Sequence, residues 1–456
     1  MDSIESNDSN EQELLCGLLI VYVIGIVMFD ISLHYIKMAL FQQQITLLIS
    51  GFIQLYAGYL LFDPKHNVAI SKIGGLLAMI PPLMDLKGNL EITMASRIST
   101  VANTTDNMKT IHGMGKMVGK NAVLVQCQVT IVGLFAVILA ATFSHFQHSP
   151  ITMDRLAMLS AISLLTSTIT CTMLGSVMTV GICLLSQSGY DPDDVATSIA
   201  ASTGDLITIF LIGQFAIYLP TLGSTFCWTI SIVILLFFPP LFFLLLKDPW
   251  NRSKIKSSLI SIMIATIISL FAGFTFEHVN QIYPQISLIG PVFTGFTGNS
   301  ISIVTSLLST VFDRIDLIPI KNRPKVNWLL NCRQVFQHYE QSPKISMTCR
   351  SHLLHVVIPC QFAFLLALRT FAGSEYLVLS PIFMSMYLLA SFVLLPLMIY
   401  LTCNMVHVSW NLKLDPDEAV IPITTSICDF TGTILLFGVF TIMNRFHDPN
   451  TAKTNL

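Results

Sequence analysis

Charged side chains are scarce in this sequence: Asp, Glu, Lys and Arg make up 11% of 456 residues, against roughly 25% in ordinary soluble domains. So little charge cannot coat a soluble globule of this size. A hydrophobic content of 53% and a mean hydropathy of +0.71 point instead to a polytopic membrane protein. Long basic blocks are missing too, and the net charge is -2, which argues against nucleic acid as a partner. CxxC pairs are absent and most of the ten cysteines lie in apolar runs, so neither a disulfide framework nor a zinc site is indicated. Residues 1–13 are acidic and lack the positive segment of a cleaved signal peptide, so the apolar run Leu14 to Phe29 is expected to stay in the mature protein. A Gly-Lys run, Gly113 to Asn121, lacks the spacing of a phosphate loop and has Asn121 where a metal-binding hydroxyl would stand. It reads as a loop leading into the next span.

What is present is a series of apolar windows near the 20 residues that a helix needs to cross the hydrocarbon core. Twelve are expected: 13–36, 44–62, 69–103, 118–145, 154–187, 194–219, 224–246, 256–276, 285–311, 350–370, 376–404 and 418–443. Lys and Arg gather after the third span (Lys109, Lys116, Lys120), the seventh (Lys247, Arg252, Lys254, Lys256) and the ninth (Arg314 to Lys344). The positive-inside rule places these loops in the cytoplasm and both termini outside. The sequon at Asn7 would then be external, and those at Asn103 and Asn251 internal.

Two segments recur. Asp191-Pro192-Asp193-Asp194 is followed by Asp205, and Asp415-Pro416-Asp417-Glu418 by Asp429, with a spacing of 14 residues from the first to the last aspartate of each copy. Earlier, Pro81 to Thr100 aligns without gaps on Pro291 to Thr310 at an offset of 210, with Gly88-Asn89 on Gly298-Asn299 and Ser96 on Ser306. The aspartate motifs match at an offset of 224, the extra residues falling in the longer basic loop. Each half therefore holds five spans in one order. Five is odd, so the added span 224–246 restores direction, and the halves form a parallel repeat about an axis along the membrane normal. The expected division is a tail and extra helix at 1–43, repeats at 44–222 and 256–444, a linker helix and basic loop at 223–255, and a tail at 445–456.

A carboxylate inside an apolar span is costly and marks an ion or proton path, or a structural polar pair. Asp205 and Asp429 suit a hard divalent cation, because Mg²⁺ takes oxygen ligands, gives up water reluctantly and is held by one or two carboxylates. Gly-Asn within a helix is expected to break it, and irregular backbone at membrane depth survives where it lines a cavity or is buried in protein. Asn89 and Asn299 then offer carbonyl oxygens to a wet interior, or are satisfied by interhelical hydrogen bonds. Asp191 and Asp415 read as helix caps or as ligands in a cytoplasmic vestibule. Asp85 and Glu91, found only in the first half beside Lys87, are further candidates, as are Ser96, Ser306, Thr208 and Thr425.

Leu86-Lys87-Gly88-Asn89-Leu90-Glu91, Ala95 to Thr100, Asp191 to Thr197 and Ala200 to Thr208 resemble the eukaryotic MgtE-type magnesium transporters, solute carrier family 41, over about residues 44 to 443. The resemblance implies an all-α protein of two parallel five-helix repeats with an ion path between them and Mg²⁺ as the main substrate. It also implies that Asp205, Asp429, Asn89 and Asn299 line that path, with Na⁺ exchange as a proposed coupling. Ser198 stands where the family usually has Pro, as at Pro422; Asp85 replaces a usual Gly; and Leu307 replaces the Arg matched by Arg97. The bacterial cytosolic Mg²⁺-sensing domains have no counterpart, since no loop is long enough to contain them. No cofactor is expected, and the plasma membrane is the expected location. The rivals are a carrier of another divalent metal, which would bring His or Cys to the aspartates, and an intramembrane aspartyl protease, which needs a paired aspartate in a Gly-x-Gly-Asp context.

Overall fold

A computed structural model of the protein describes residues 34–86, 90, 94, 111–146, 152–187, 192–316, 328–337, 343–353, 357–373 and 377–451. Hydrocarbon leaves backbone polar groups no partner but each other, so apolar segments of this length become helices. Among the described residues all regular structure is helical. The first half comprises α1 (His34–Phe62), α2 (Pro64–Lys72), α3 (Leu76–Leu86), α4 (Ile111–Phe146), α5 (Met153–Gln187) and α6 (Pro192–Leu222). The linker helix is α7 (Ser224–Lys247). The second half comprises α8 (Pro249–Ile282), α9 (Gln285–Asp316), α10 (Cys332–Phe336), α11 (Pro343–Ser351), α12 (Val357–Ala372), α13 (Pro381–Asn411) and α14 (Pro416–Arg445).

Eight described helices are long and apolar enough to cross a membrane, or nine if α2 and α3 form one broken span. Of the twelve expected spans, eight coincide with these helices. Residues 13–33 of the first lie outside the described residues. The span 69–103 is not one helix: α2 and α3 meet at a bend of 107°. There Gly75 takes a φ of +85°, a left-handed conformation that glycine adopts without a steric penalty. The span 285–311 exists as α9 but is too polar to qualify by composition, because its Thr297, Asn299, Ser302 and Thr305 face protein and are buried. The span 350–370 is divided between α11 and α12, and its apolar part, Pro359–Ala372, is short.

Two local expectations are corrected. Gly298-Asn299 does not break its helix, since α9 is continuous from Gln285 to Asp316. The Asn299 amide is satisfied across the helix interface, which removes the reason for backbone competition. Gly113 to Asn121 is not a loop but the first turns of α4. At the start of α14 the Asp-Pro turn acts as a cap, with Pro416 in the first turn and the Asp415 carboxylate accepting from the Asp417 backbone N–H at 3.2 Å.

Packing follows the repeat. In each half the first long helix lies against the last, α1 on α6 and α8 on α14, while α1 also packs on α9 of the other half. Two glycines let backbone of one half come against backbone of the other. A Cβ on Gly58 would stand 2.3 Å from the Leu288 carbonyl oxygen, and one on Gly273 would stand 1.9 Å from the Ala78 carbonyl oxygen. Leu288 and Ala78 are themselves 210 apart, so the two contacts are counterparts. At the end carrying the first two basic clusters, Lys120 pairs with Asp248 at 2.8 Å and Asn251 donates to the Lys120 carbonyl at 3.2 Å. Asn251 lies in α8 and is 2% exposed, which leaves its sequon no room for a glycan.

Replacing Gly58 or Gly273 with Val forces backbone apart at these contacts. Each substitution is expected to destabilise the fold by about 1–3 kcal/mol, visible as a lower melting temperature of the detergent-solubilised protein; unchanged melting would show that the halves do not meet there.

Candidate functional site

Where α1, α3, α6, α9 and α14 converge, a cavity of about 50 Å³ is lined by residues of both halves. It has room for a few waters, far fewer than a six-water shell around an ion. Asp205 from α6 and Asp429 from α14 both border it, and so do Asp85 from the end of α3, Asn299 from α9 and Thr425 from α14. Asp205 and Asp429 are partly exposed, whereas Asp85 and Asn299 are buried.

Asn299 Nδ2 donates to Ser202 Oγ at 2.9 Å, and the Ser202 hydroxyl donates to the Ser198 carbonyl at 2.8 Å. The counterpart of the latter bond is Ser426 Oγ to the Pro422 carbonyl, also 2.8 Å. The substitution at Ser198 therefore leaves that bond in place. Gln54 Nε2, from α1, donates to Asp205 Oδ2 at 3.4 Å. Gln54 is 1% exposed and its Oε1 has no hydrogen-bond partner. On the other side the Ser269 hydroxyl donates to Asp85 and lies 2.8 Å from Ser426 Oγ. The Asp85 and Asp429 carboxyls are within hydrogen-bonding reach of each other, and the Thr294 hydroxyl lies against Asp429.

The remaining candidates are placed as follows. Asn89, Glu91, Ser96 and Asp191 lie outside the described residues. Thr208 and Ser306 are buried but are not lining residues of the cavity. Asp415 is the cap described above. Cys428 beside Asp429 is fully buried, its thiol directed at the Thr294 carbonyl at 3.6 Å, and it does not line the cavity. Among the described residues no three His, Cys, Asp or Glu side chains come close enough to hold a metal by themselves.

Sequence reading passed over Gln54, Ser269, Ser202 and Gly295. For Gln54 and Ser269 a signal existed. Gln54-Leu55-Tyr56-Ala57-Gly58-Tyr59 matches Ser269-Leu270-Phe271-Ala272-Gly273-Phe274 at an offset of 215, which differs from both offsets already noted. The match aligns the two close-approach glycines.

Helices of two matched halves that bring carboxylates, amides and hydroxyls to one internal cavity define a multi-pass membrane transporter of ions. The chain belongs to the MgtE family, described as divalent cation transporters, whose profile matches residues 80–215 and 290–439. The two matched blocks start 210 apart and end 224 apart, the same offsets as the internal repeat. The chain is 30% identical over 404 residues to solute carrier family 41 member 3 of Rattus norvegicus, covering 87% of this chain and 85% of that protein. It is 29% identical over 399 residues to member 2 of Homo sapiens, covering 86% and 68%. Against member 2 of Xenopus laevis it is 29% identical over 421 residues, covering 90% and 72%. No solved structure matches. The protein is thus an integral membrane cation transporter and not an enzyme, which removes the aspartyl protease reading.

Asn299→Ala removes the donor to Ser202 and leaves that one buried hydroxyl without the bond it accepts, which is expected to destabilise the protein by about 1 kcal/mol. Thermal unfolding followed by tryptophan fluorescence measures it, and no change would show that this bond carries no net stability.

Proposed function

We propose that this transporter carries Mg²⁺ along a path between its two halves, with Asp205, Asp429 and Asn299 among the groups that the ion meets. The observation that carries the reading is the shared cavity, in which carboxylates from α6 and α14 face oxygen and amide groups. Hard oxygen donors in small number suit an ion that keeps part of its water. The Cys428 thiol is turned to a backbone carbonyl, and the sulfur at the cavity is the neutral thioether of Met84, so the described lining offers no thiolate to favour a softer metal. The formal charge that offsets a divalent cation in a low-dielectric setting comes from aspartates of both halves. Basic loops on the cytoplasmic side, residence in the plasma membrane and exchange against Na⁺ belong to the same proposal. The Lys120 to Asp248 pair, which joins two basic clusters at one end, supports the first of these.

Flux into proteoliposomes loaded with a Mg²⁺-sensitive dye tests the proposal. The wild type is expected to admit Mg²⁺, and Asp205→Ala with Asp429→Ala is expected to reduce uptake by at least about a hundredfold, as loss of two charged ligands requires, while the protein still reaches the membrane. Normal uptake by the double variant would overturn the assignment of these aspartates. An outward Na⁺ gradient that leaves the wild-type rate unaltered would remove Na⁺ exchange, and preferred uptake of Mn²⁺ or Co²⁺ over Mg²⁺ would replace the substrate.

A further inference from the structure

The halves are matched in backbone but not in the side chains they turn to the cavity. The paired contacts of Gly58 with Leu288 and Gly273 with Ala78 fix the correspondence: α8 follows α1 at an offset of 215, and α9 follows α3 at 210. Gln54 then falls on Ser269, and Gly295 falls on Asp85. On one side a long carboxamide lies over a glycine; on the other a short hydroxyl lies against a carboxylate. The exchange is steric in origin. A Cβ on Gly295 would stand 2.0 Å from Gln54 Nε2, so any larger residue there would evict the amide. Ser269 is short enough to leave the equivalent space to Asp85, to which it donates.

Volume is conserved by this exchange and charge is not. Next to Asp429 stands a second carboxylate, Asp85, which is 9% exposed. Two carboxylates in contact repel unless a proton or cation lies between them. Next to Asp205 stands a neutral amide. Because Gln54 spends its N–H on Asp205, its carbonyl oxygen is left buried and without a hydrogen bond, close over Gly295, which with Gln54 lines the cavity that Asp85 and Asp429 share. A buried oxygen of this kind is unfavourable until something electropositive meets it.

We infer that the cation site is one-sided: the divalent ion is held between Asp85 and Asp429, carboxylates from opposite halves, with the Gln54 carbonyl as a neutral ligand, while the Gln54 amide fills the matching place beside Asp205. This rests on the proposed role of the cavity in Mg²⁺ transport. Asp205, beside which Gly295 stands in the place that Asp85 takes on the other side, is the weaker station, from which an ion can leave, and a path with one strong and one weak site conducts better than one with two strong sites.

The test uses the full chain in proteoliposomes and measures the Mg²⁺ concentration that gives half-maximal uptake. Asp85→Asn keeps the shape of the side chain and can still accept from Ser269. It is expected to raise that concentration about tenfold or more, since ligand charge count sets affinity for hard cations. The paired change Asp85→Gly with Ser269→Gln copies the Gly295 and Gln54 arrangement onto the other side and is expected to act in the same direction. Gln54→Ser with Gly295→Asp builds a second carboxylate pair, around Asp205, and is expected to lower the half-maximal concentration. A matching loss of the Mg²⁺-induced rise in melting temperature should accompany Asp85→Asn. An unchanged half-maximal concentration and unchanged thermal shift in Asp85→Asn would overturn the one-sided site. Wild-type protein that carries no Mg²⁺ would instead overturn the function proposed above, so the two failures are distinguishable.

Discussion

An ionised carboxylate is tolerated at membrane depth only where other polar groups or an ion answer its charge, and the arrangement around Asp85, Asp205 and Asp429 follows from that requirement. Each is answered by a helix other than its own: Asp205 by Gln54 of α1, Asp85 by Ser269 of α8, and Asp429 by Thr294 of α9. These partners can reach only if helix axes come close together. Glycine at positions 58, 273 and 295 supplies that approach, since a Cβ at any of them would meet atoms of a neighbouring helix within 2.3 Å. Close packing of the halves and placement of charge are therefore one problem with one solution.

The polar face of α9 shows the same economy. Its serines, threonines and Asn299 would be poorly tolerated against lipid, and the helix is accordingly surrounded by α1, α6, α13 and α14. Hydroxyls along it donate back to carbonyls four residues earlier, as Ser300, Ser302 and Thr305 do, so that most of its polarity is internally satisfied. Thr294, Asn299 and Ser302 of this helix line the cavity. By contrast α7 has no such face: Leu236, Phe237 and Phe243 are exposed, as suits a linker whose surroundings are hydrocarbon, and Lys247 marks its end.

Duplication accounts for the architecture but not for identical chemistry in the two copies. Ser198 and Pro422 differ, yet the hydroxyl bonds from Ser202 and Ser426 to the carbonyls at these positions are the same length. Gln54 and Ser269 differ, and here the difference is matched by Gly295 and Asp85. Once both copies lie in one chain, each position is free to change alone, provided that its neighbour across the interface compensates in volume. A dimer of identical subunits has no such freedom.

Membrane class, the doubled plan and the importance of Asp205 and Asp429 were legible in the sequence because they rest on local composition and on spacing along the chain, quantities that folding does not alter. The partners of those aspartates were not legible. Gln54 is 151 residues from Asp205, and Ser269 is 184 from Asp85, so nothing in either neighbourhood announces the pairing. Nor could composition reveal that α9 runs unbroken through Gly298-Asn299, or that the preceding span of the first half bends at Gly75, since whether a glycine kinks a helix depends on what packs against it. Sequence determined how many times the plan is written and which residues carry charge. Only the tertiary structure decided which groups share a cavity, because that depends on how closely helices from the two halves can approach.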